Sequence, residues 1–431
     1  MAIEMKNSGI EWIGEIPDDW KVERLQWYIE EVKISNNPMQ TDRVLSLTNK
    51  AGVIPYEEKG AQGNVAKEDY TQYKLAYPNT IVANSMNILI GSVGICNYFG
   101  CVSPVYYVFK PTKKADLLFI NYIMQTIPFQ KELRRYANGI LEIRLRVSAN
   151  GILKRKIAIP NLEKQKNIVD KISKKCAAVD RLIENQRAQI EKLKEYKQSV
   201  ITEAVTKGLD PSAPMKDSGV EWLGKIPIDW NVLRIKNLGN LQNGISKNGE
   251  FFGTGFPFVS YGDVYKNIEL PNKVSGLIES SNEERIRYSV QKNDIFFTRT
   301  SETIEEVGFS SVCMQTIANA TFAGFLIRLR PFTKKLLSNY AKYYFRGQHI
   351  RTYLVKEMNI VTRASLSQDL LSAMQVLVPP IEEQRQIADY LDKKCAEIDK
   401  LIAIQQQKIE TLTEYKKSLI YEYVTGKKQV G

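Results

Sequence analysis

Pro160–Thr206, PNLEKQKNIVDKISKKCAAVDRLIENQRAQIEKLKEYKQSVITEAVT, returns at Pro379–Thr425 as PPIEEQRQIADYLDKKCAEIDKLIAIQQQKIETLTEYKKSLIYEYVT. The offset is 219 with no gap, and 24 of the 47 paired positions are identical. Each copy opens on a proline-led turn and then runs without Gly or Pro, with apolar residues spaced alternately three and four apart, which is helical periodicity. The stripe passes through Ile172, Cys176, Val179, Ile183, Gln186, Ile190, Leu193 and Lys197 in the first copy. In the second it passes through Leu391, Cys395, Ile398, Ile402, Gln405, Ile409, Leu412 and Lys416. A stripe this narrow is the seam of a coiled-coil pair.

At about 1.5 Å per residue each helix spans roughly 60–70 Å, longer than a small domain is wide. Each is expected to pair with the other, because both place Gln (Gln186, Gln405) and Lys (Lys197, Lys416) at matching seam positions, where polar residues set register. Only Lys207–Pro214 (KGLDPSAP) separates the first helix from the second domain, and domain termini lie close together. The expectation is an antiparallel pair with one domain at each end.

A second repeat frames the first. Met5–Trp20 (MKNSGIEWIGEIPDDW) recurs as Met215–Trp230 (MKDSGVEWLGKIPIDW), with 11 of 16 positions identical. Each copy leads into a stretch with little similarity to its counterpart. Both stretches mix strand-like runs with helical spacing. In the first, Val44–Leu47, Thr80–Ala83 and Val105–Lys110 read as strands and Leu117–Tyr136 as helix. In the second, Phe256–Ser260, Asp294–Thr298 and Phe325–Arg330 read as strands and Lys335–Val355 as helix. The fold class is α+β with a pseudo-twofold internal repeat: a domain over 1–159, a spacer helix over 160–207, a linker over 208–214, a second domain over 215–378, and a second spacer helix with a C-terminal tail over 379–431.

The chain has 431 residues and a net charge of +12, from 60 Lys and Arg against 48 Asp and Glu, a surplus that favours a polyanionic partner. Five scattered cysteines and the lack of a signal-peptide core point to a reduced, cytoplasmic setting. No apolar run reaches membrane-spanning length. One histidine leaves little material for acid–base catalysis or a metal site. Gly219–Lys225 (GVEWLGK) imitates a phosphate-binding loop, but Ile226 stands where a Ser or Thr must follow, and the other copy has Glu15 in place of the Lys. Pro17-Asp18 with Glu31-Val32-Lys33 is a loose nuclease-like pattern that the second copy does not repeat, because Ile228 follows its proline. The chain is expected to be non-catalytic, to bind no metal and to hold no cofactor of its own.

Recognition remains. Asn84, Ser85 and Asn87 in NSMN, Ser260 and Tyr261 in SYGD, and Thr298, Arg299, Thr300 and Ser301 in TRTS combine the side chains that read base edges and grip phosphates. Arg144 and Arg363, followed by Ser148 and Ser367, keep the 219 offset upstream of the helices and are candidates for phosphate contact.

In this order and duplication the chain resembles the specificity subunits of type I restriction-modification enzymes. The likeness is carried by SGIEWIGEIP and SGVEWLGKIP, VLSLTNKAGVIP, IVANSMNILIGSVGICNYFGCVSPVYYVFKP, GFPFVSYGDV, NDIFFTRTSETIEEVG, and the helix openings IPNLEKQ and VPPIEEQ. In IPNLEKQ, Asn161 and Lys164 depart from the more usual Pro and Glu. The resemblance implies two mixed α/β target-recognition domains held apart by two long antiparallel coiled-coil helices, each domain reading half of a split double-stranded DNA site. It implies two methyltransferase subunits, which use S-adenosylmethionine on adenine N6, and ATP-dependent motor-nuclease subunits requiring magnesium. Gln165, Tyr196, Gln384 and Tyr415 are the candidate partner contacts. The alternative is a stand-alone DNA-binding or coiled-coil scaffold protein, which would not co-purify with a methyltransferase.

Overall fold

The computed structural model describes residues 4–48, 52–59, 69–139, 145–301, 307–357 and 364–428. Both repeats of the Pro160 stretch are single α-helices, Leu162–Lys207 and Ile381–Val424. The chain divides into two compact units, Met1–Arg187 with Gln407–Gly431, and Ala188–Gln406. Each long helix therefore contributes its N-terminal part to one unit and its C-terminal part to the other.

Each unit contains a four-stranded antiparallel sheet with the same plan. In the first unit the strand order is Ile29–Val32, Tyr106–Pro111, Thr80–Asn84, Val93–Cys96; in the second it is Gly239–Asn243, Leu326–Pro331, Ile295–Thr298, Ser310–Val312. The apolar runs that mark these strands supply the buried layer, including Ile81, Ala83 and Phe109 in one and Ile295, Phe297 and Leu329 in the other. The two helical stretches are each broken in two. Leu117–Gln125 stops before Thr126, and Pro128 sits in the first turn of Ile127–Arg134. Ser338–Tyr344 and Gln348–Glu357 are separated at Gly347, so neither spacing continues as one helix.

The seam is buried at the spacing read from sequence. Val179, Ile183, Ile190, Ile398 and Ile409 are buried, and Gln186, Leu193, Ile402, Gln405 and Leu412 are half-buried. The helices run antiparallel within each unit. In the first, Lys416 donates to both carboxylate oxygens of Asp180 at 2.7 Å; in the second, Lys197 makes the equivalent pair with Asp399, also at 2.7 Å. These cross-helix pairs hold the register. The glutamines do not, because the side-chain carbonyls of Gln186 and Gln405 are buried without a hydrogen-bond partner.

Each unit's core includes the end of the helix that begins in the other unit. Leu419, Tyr423 and Val424 join Ile172 and Cys176 in the first, while Val200, Ile201, Ala204 and Val205 join Leu391 and Cys395 in the second. The lead motifs are packed in the same manner, with Trp20 and Trp230 buried beneath their own sheets and helix ends. Gly208 and Gly426 end the helices at φ +80° and +76°, and a Cβ on Gly426 would sit 2.3 Å from Pro17.

The single histidine, His349, lies buried in the second unit against Trp222 and Tyr344, and neither ring nitrogen has a hydrogen-bond partner. Burial pushes it down to about 3 from 6.5. A base whose folded value is depressed binds its proton more readily when unfolded, so its neutral form costs nothing above pH 6.5 and stability falls as pH drops below it. Melting of the second unit is expected to lose up to about 1.4 kcal/mol per pH unit between pH 6.5 and 4 from this residue. Thermal unfolding across pH should show that His349→Phe removes that part of the slope.

Candidate nucleic-acid interface

Several residues selected from sequence are used up inside their own unit. Asn84 and Ser85 are buried at the end of the Thr80–Asn84 strand, where the Asn84 side-chain oxygen accepts from Met86 N–H at 3.0 Å. Thr298 is buried and its hydroxyl accepts from Phe309 N–H at 2.9 Å. Ser260 caps the helix Tyr261–Lys266 in a reciprocal box with Asp263, its hydroxyl donating to the carboxylate at 2.7 Å. Asn84, Ser85 and Thr298 are thus sealed in the fold with no face left for a base edge, while half-buried Ser260 has its hydroxyl engaged in the cap. The others differ. Asn87 is exposed, and Tyr261, Arg299 and Thr300 are half-buried. Ser301 pairs through its backbone with Ala364. Arg144 and Arg363 lie outside the described residues, while Ser148 and Ser367 are side-chain N-caps of Ala149–Leu153 and Gln368–Ala373.

Tyr261 is held by a stack. Its ring lies 5.9 Å from that of Tyr265 at 19°, and Tyr265 lies 5.1 Å from Phe309. Arg346 covers Phe309 at 4.7 Å and donates to the carbonyls of Val264 (2.8 Å), Asn267 (2.9 Å) and Ser310 (2.7 Å). Its guanidinium thus satisfies carbonyls at the end of the helix that carries Tyr261. Burial pushes it down to about 10, which leaves it charged at neutral pH.

The partner assignments also divide. Gln165 and Gln384 are 0% exposed. The Gln165 amide accepts from Asp116 N–H at 2.8 Å and donates to the carbonyls of Lys114 and Pro160. Gln384 repeats this with Leu337 N–H, Lys335 and Pro379. They lock each helix start to its own domain, and assigning them to a partner is corrected on that ground. Tyr196 and Tyr415, 56% and 46% exposed, remain available. Gln165→Leu should therefore cost about 1–3 kcal/mol in urea unfolding by stranding buried polar groups. Tyr196→Ala, at a position 56% exposed, should leave the same unfolding midpoint nearly unchanged.

Among the described residues no group of three or more His, Cys, Asp or Glu is placed to hold a metal ion, and no helix is long and apolar enough to cross a membrane. All five cysteines are free and buried.

Residues 227–414 match the family model for the type I restriction modification DNA specificity domain. Two relatives from Methanocaldococcus jannaschii extend the likeness to nearly the full length. The putative MjaX specificity subunit is 25% identical, covering 97% of this chain and 96% of its own, and the MjaVIII specificity subunit is 23% identical, covering 96% and 94%. The EcoKI specificity subunit of Escherichia coli is 25% identical over 68% of this chain and 61% of its own. Among solved structures, a chain from a study of assembly and conformational transition in the type I R-M system has a TM-score of 0.68 at 14% identity, covering 95% of this chain and 98% of that one. The HsdS subunit of Thermoanaerobacter tengcongensis has a TM-score of 0.50 at 16% identity with the same coverage, and both likenesses bear on fold. Over nearly its whole length the chain is thus similar to specificity subunits of type I restriction enzymes, and its second domain matches their family model.

Proposed function

We infer that this subunit reads a bipartite, asymmetric double-stranded DNA site, one half per unit, and presents it to two methyltransferase subunits that modify adenine N6 and to ATP-dependent motor-nuclease subunits. The observation that carries the reading is one sheet plan used twice beneath different surface loops, on two helices with equivalent Lys–Asp pairs. Equal scaffolds give equal docking, and unequal loops give unequal half-sequences. S-adenosylmethionine, ATP and magnesium belong to the partner chains in this scheme, and the complex works in the cytoplasm.

Arg144 and Arg363 serve as phosphate contacts in this reading. The net charge of +12 supports a salt-dependent grip on the duplex backbone. Long-read methylation mapping in cells with and without the gene is the test: a split, non-palindromic motif should disappear with the gene. Methylation unchanged by the deletion would reject it.

A further inference from the structure

The two sheets can be aligned residue by residue through their hydrogen bonds, although their sequences barely match. Asn84 lies opposite Tyr106, and Thr298 opposite Leu326. Asn84 N–H donates to Ser92 C=O at 3.0 Å, and Thr298 N–H to Phe309 C=O at 2.9 Å. At the next residue, Ser85 N–H donates to Val105 C=O and accepts at its own carbonyl from Val147 N–H; Arg299 does the same with Phe325 C=O (2.9 Å) and Leu366 N–H (2.7 Å). Ser85 with Val105 in one reader thus occupies the place of Arg299 with Phe325 in the other.

The side chains at that shared place are opposite in character. Ser85 is buried and Val105 half-buried, a closed and uncharged corner. Phe325 is 65% exposed, and the half-buried Arg299 makes no side-chain hydrogen bond or ion pair among the described residues. An exposed aromatic face offers apolar area that a ligand can cover, and an arginine with no side-chain hydrogen bond or ion pair among the described residues has its donor fork available for one. Backbone bonds on both sides fix where the two emerge.

We propose that Arg299 and Phe325 are a specificity-determining pair of the second half-site, Arg299 donating its fork to a guanine edge and Phe325 packing on the neighbouring nucleotide, with no counterpart in the first reader. The proposal rests on the DNA-reading function above. The bidentate match to guanine O6 and N7 is the commonest specific arginine contact and discriminates by about 10- to 100-fold.

The test uses the full chain assembled with its methyltransferase, in competition binding at fixed salt against duplexes in which each base pair of the mapped site is replaced in turn. Arg299→Ala should abolish discrimination at a single G·C pair of the second half-site while first-half preferences stay intact. Arg299→Lys should lose the same discrimination, because an ammonium cannot form the fork, yet retain non-specific affinity. Phe325→Ala should weaken the specific complex about tenfold. Uniform weakening on all duplexes by Arg299→Ala, with unaltered base preference, would make the residue a phosphate contact and overturn the proposal, as would a silent Phe325→Ala. A wild-type complex with no bipartite preference would instead sink the DNA-reading function itself. If Arg299→Ala lowers the melting midpoint, the lysine variant carries the decision.

Discussion

Tyr423→Ala should destabilise the unit containing the first reader by about 3–5 kcal/mol, although Tyr423 lies more than two hundred residues from that reader in sequence. Its side chain is buried among Leu419, Val424, Ile172 and Cys176. The neighbouring Tyr421 hydroxyl donates to the Trp12 carbonyl at 2.8 Å, so this helix end is tied to the lead motif of the first domain. The place equivalent to Tyr423 in the second unit is filled by Ala204, so no tyrosine there can mask the loss. Against a total of about 5–15 kcal/mol for a domain, such a cavity removes a large share of the stability. Hydrogen exchange read by mass spectrometry should show protection falling across residues 1–187 and unchanged across 188–406. Equal loss in both, or loss only in the second, would contradict the assignment of this helix end to the first core.

Adding four residues to both long helices, after Gln189 and after Lys408, should lengthen the unread spacer of the recognised site by one or two base pairs and leave both half-sequences as they were. Four residues add about 6 Å of helix, against about 3.4 Å per base pair. Both insertions are needed. Sixteen residues lie between Asp180 and Lys197, and sixteen between Asp399 and Lys416, so the two helices have equal numbers of residues between their ion-paired positions. An insertion in one alone makes those lengths unequal, and the complex should then bind its site poorly, whereas the matched insertion restores tight binding at a longer spacing. Methylation mapping distinguishes the cases. An unchanged spacer with the double insertion would refute helix length as its determinant.

Periodicity exposed the long helices because a seam repeats over many turns, and the 219 offset exposed the duplication because the scaffold uses the same contacts twice. Strand positions in the readers were legible to within a few residues from runs such as TIVA and FLIRLR. The breaks at Thr126 and Gly347 were not, since local turn chemistry ended helices whose apolar spacing continued. Polar residues in candidate loops looked alike in sequence, but the fold separated buried Asn84, Ser85 and Thr298 from exposed Asn87. Phe325 was read as the first residue of a strand; ladder hydrogen bonds place it just before the strand, where its ring stays exposed.

What the amino-acid sequence determined alone is the plan: two unlike domains and two matching helices, because repeats need no coordinates to be seen. Tertiary structure alone decided which helix end completes which core, that Lys197 and Lys416 set register with Asp399 and Asp180, and that Gln165 and Gln384 face inward. Those depend on which distant residues meet and how deeply they are buried, and spacing along the chain carries neither.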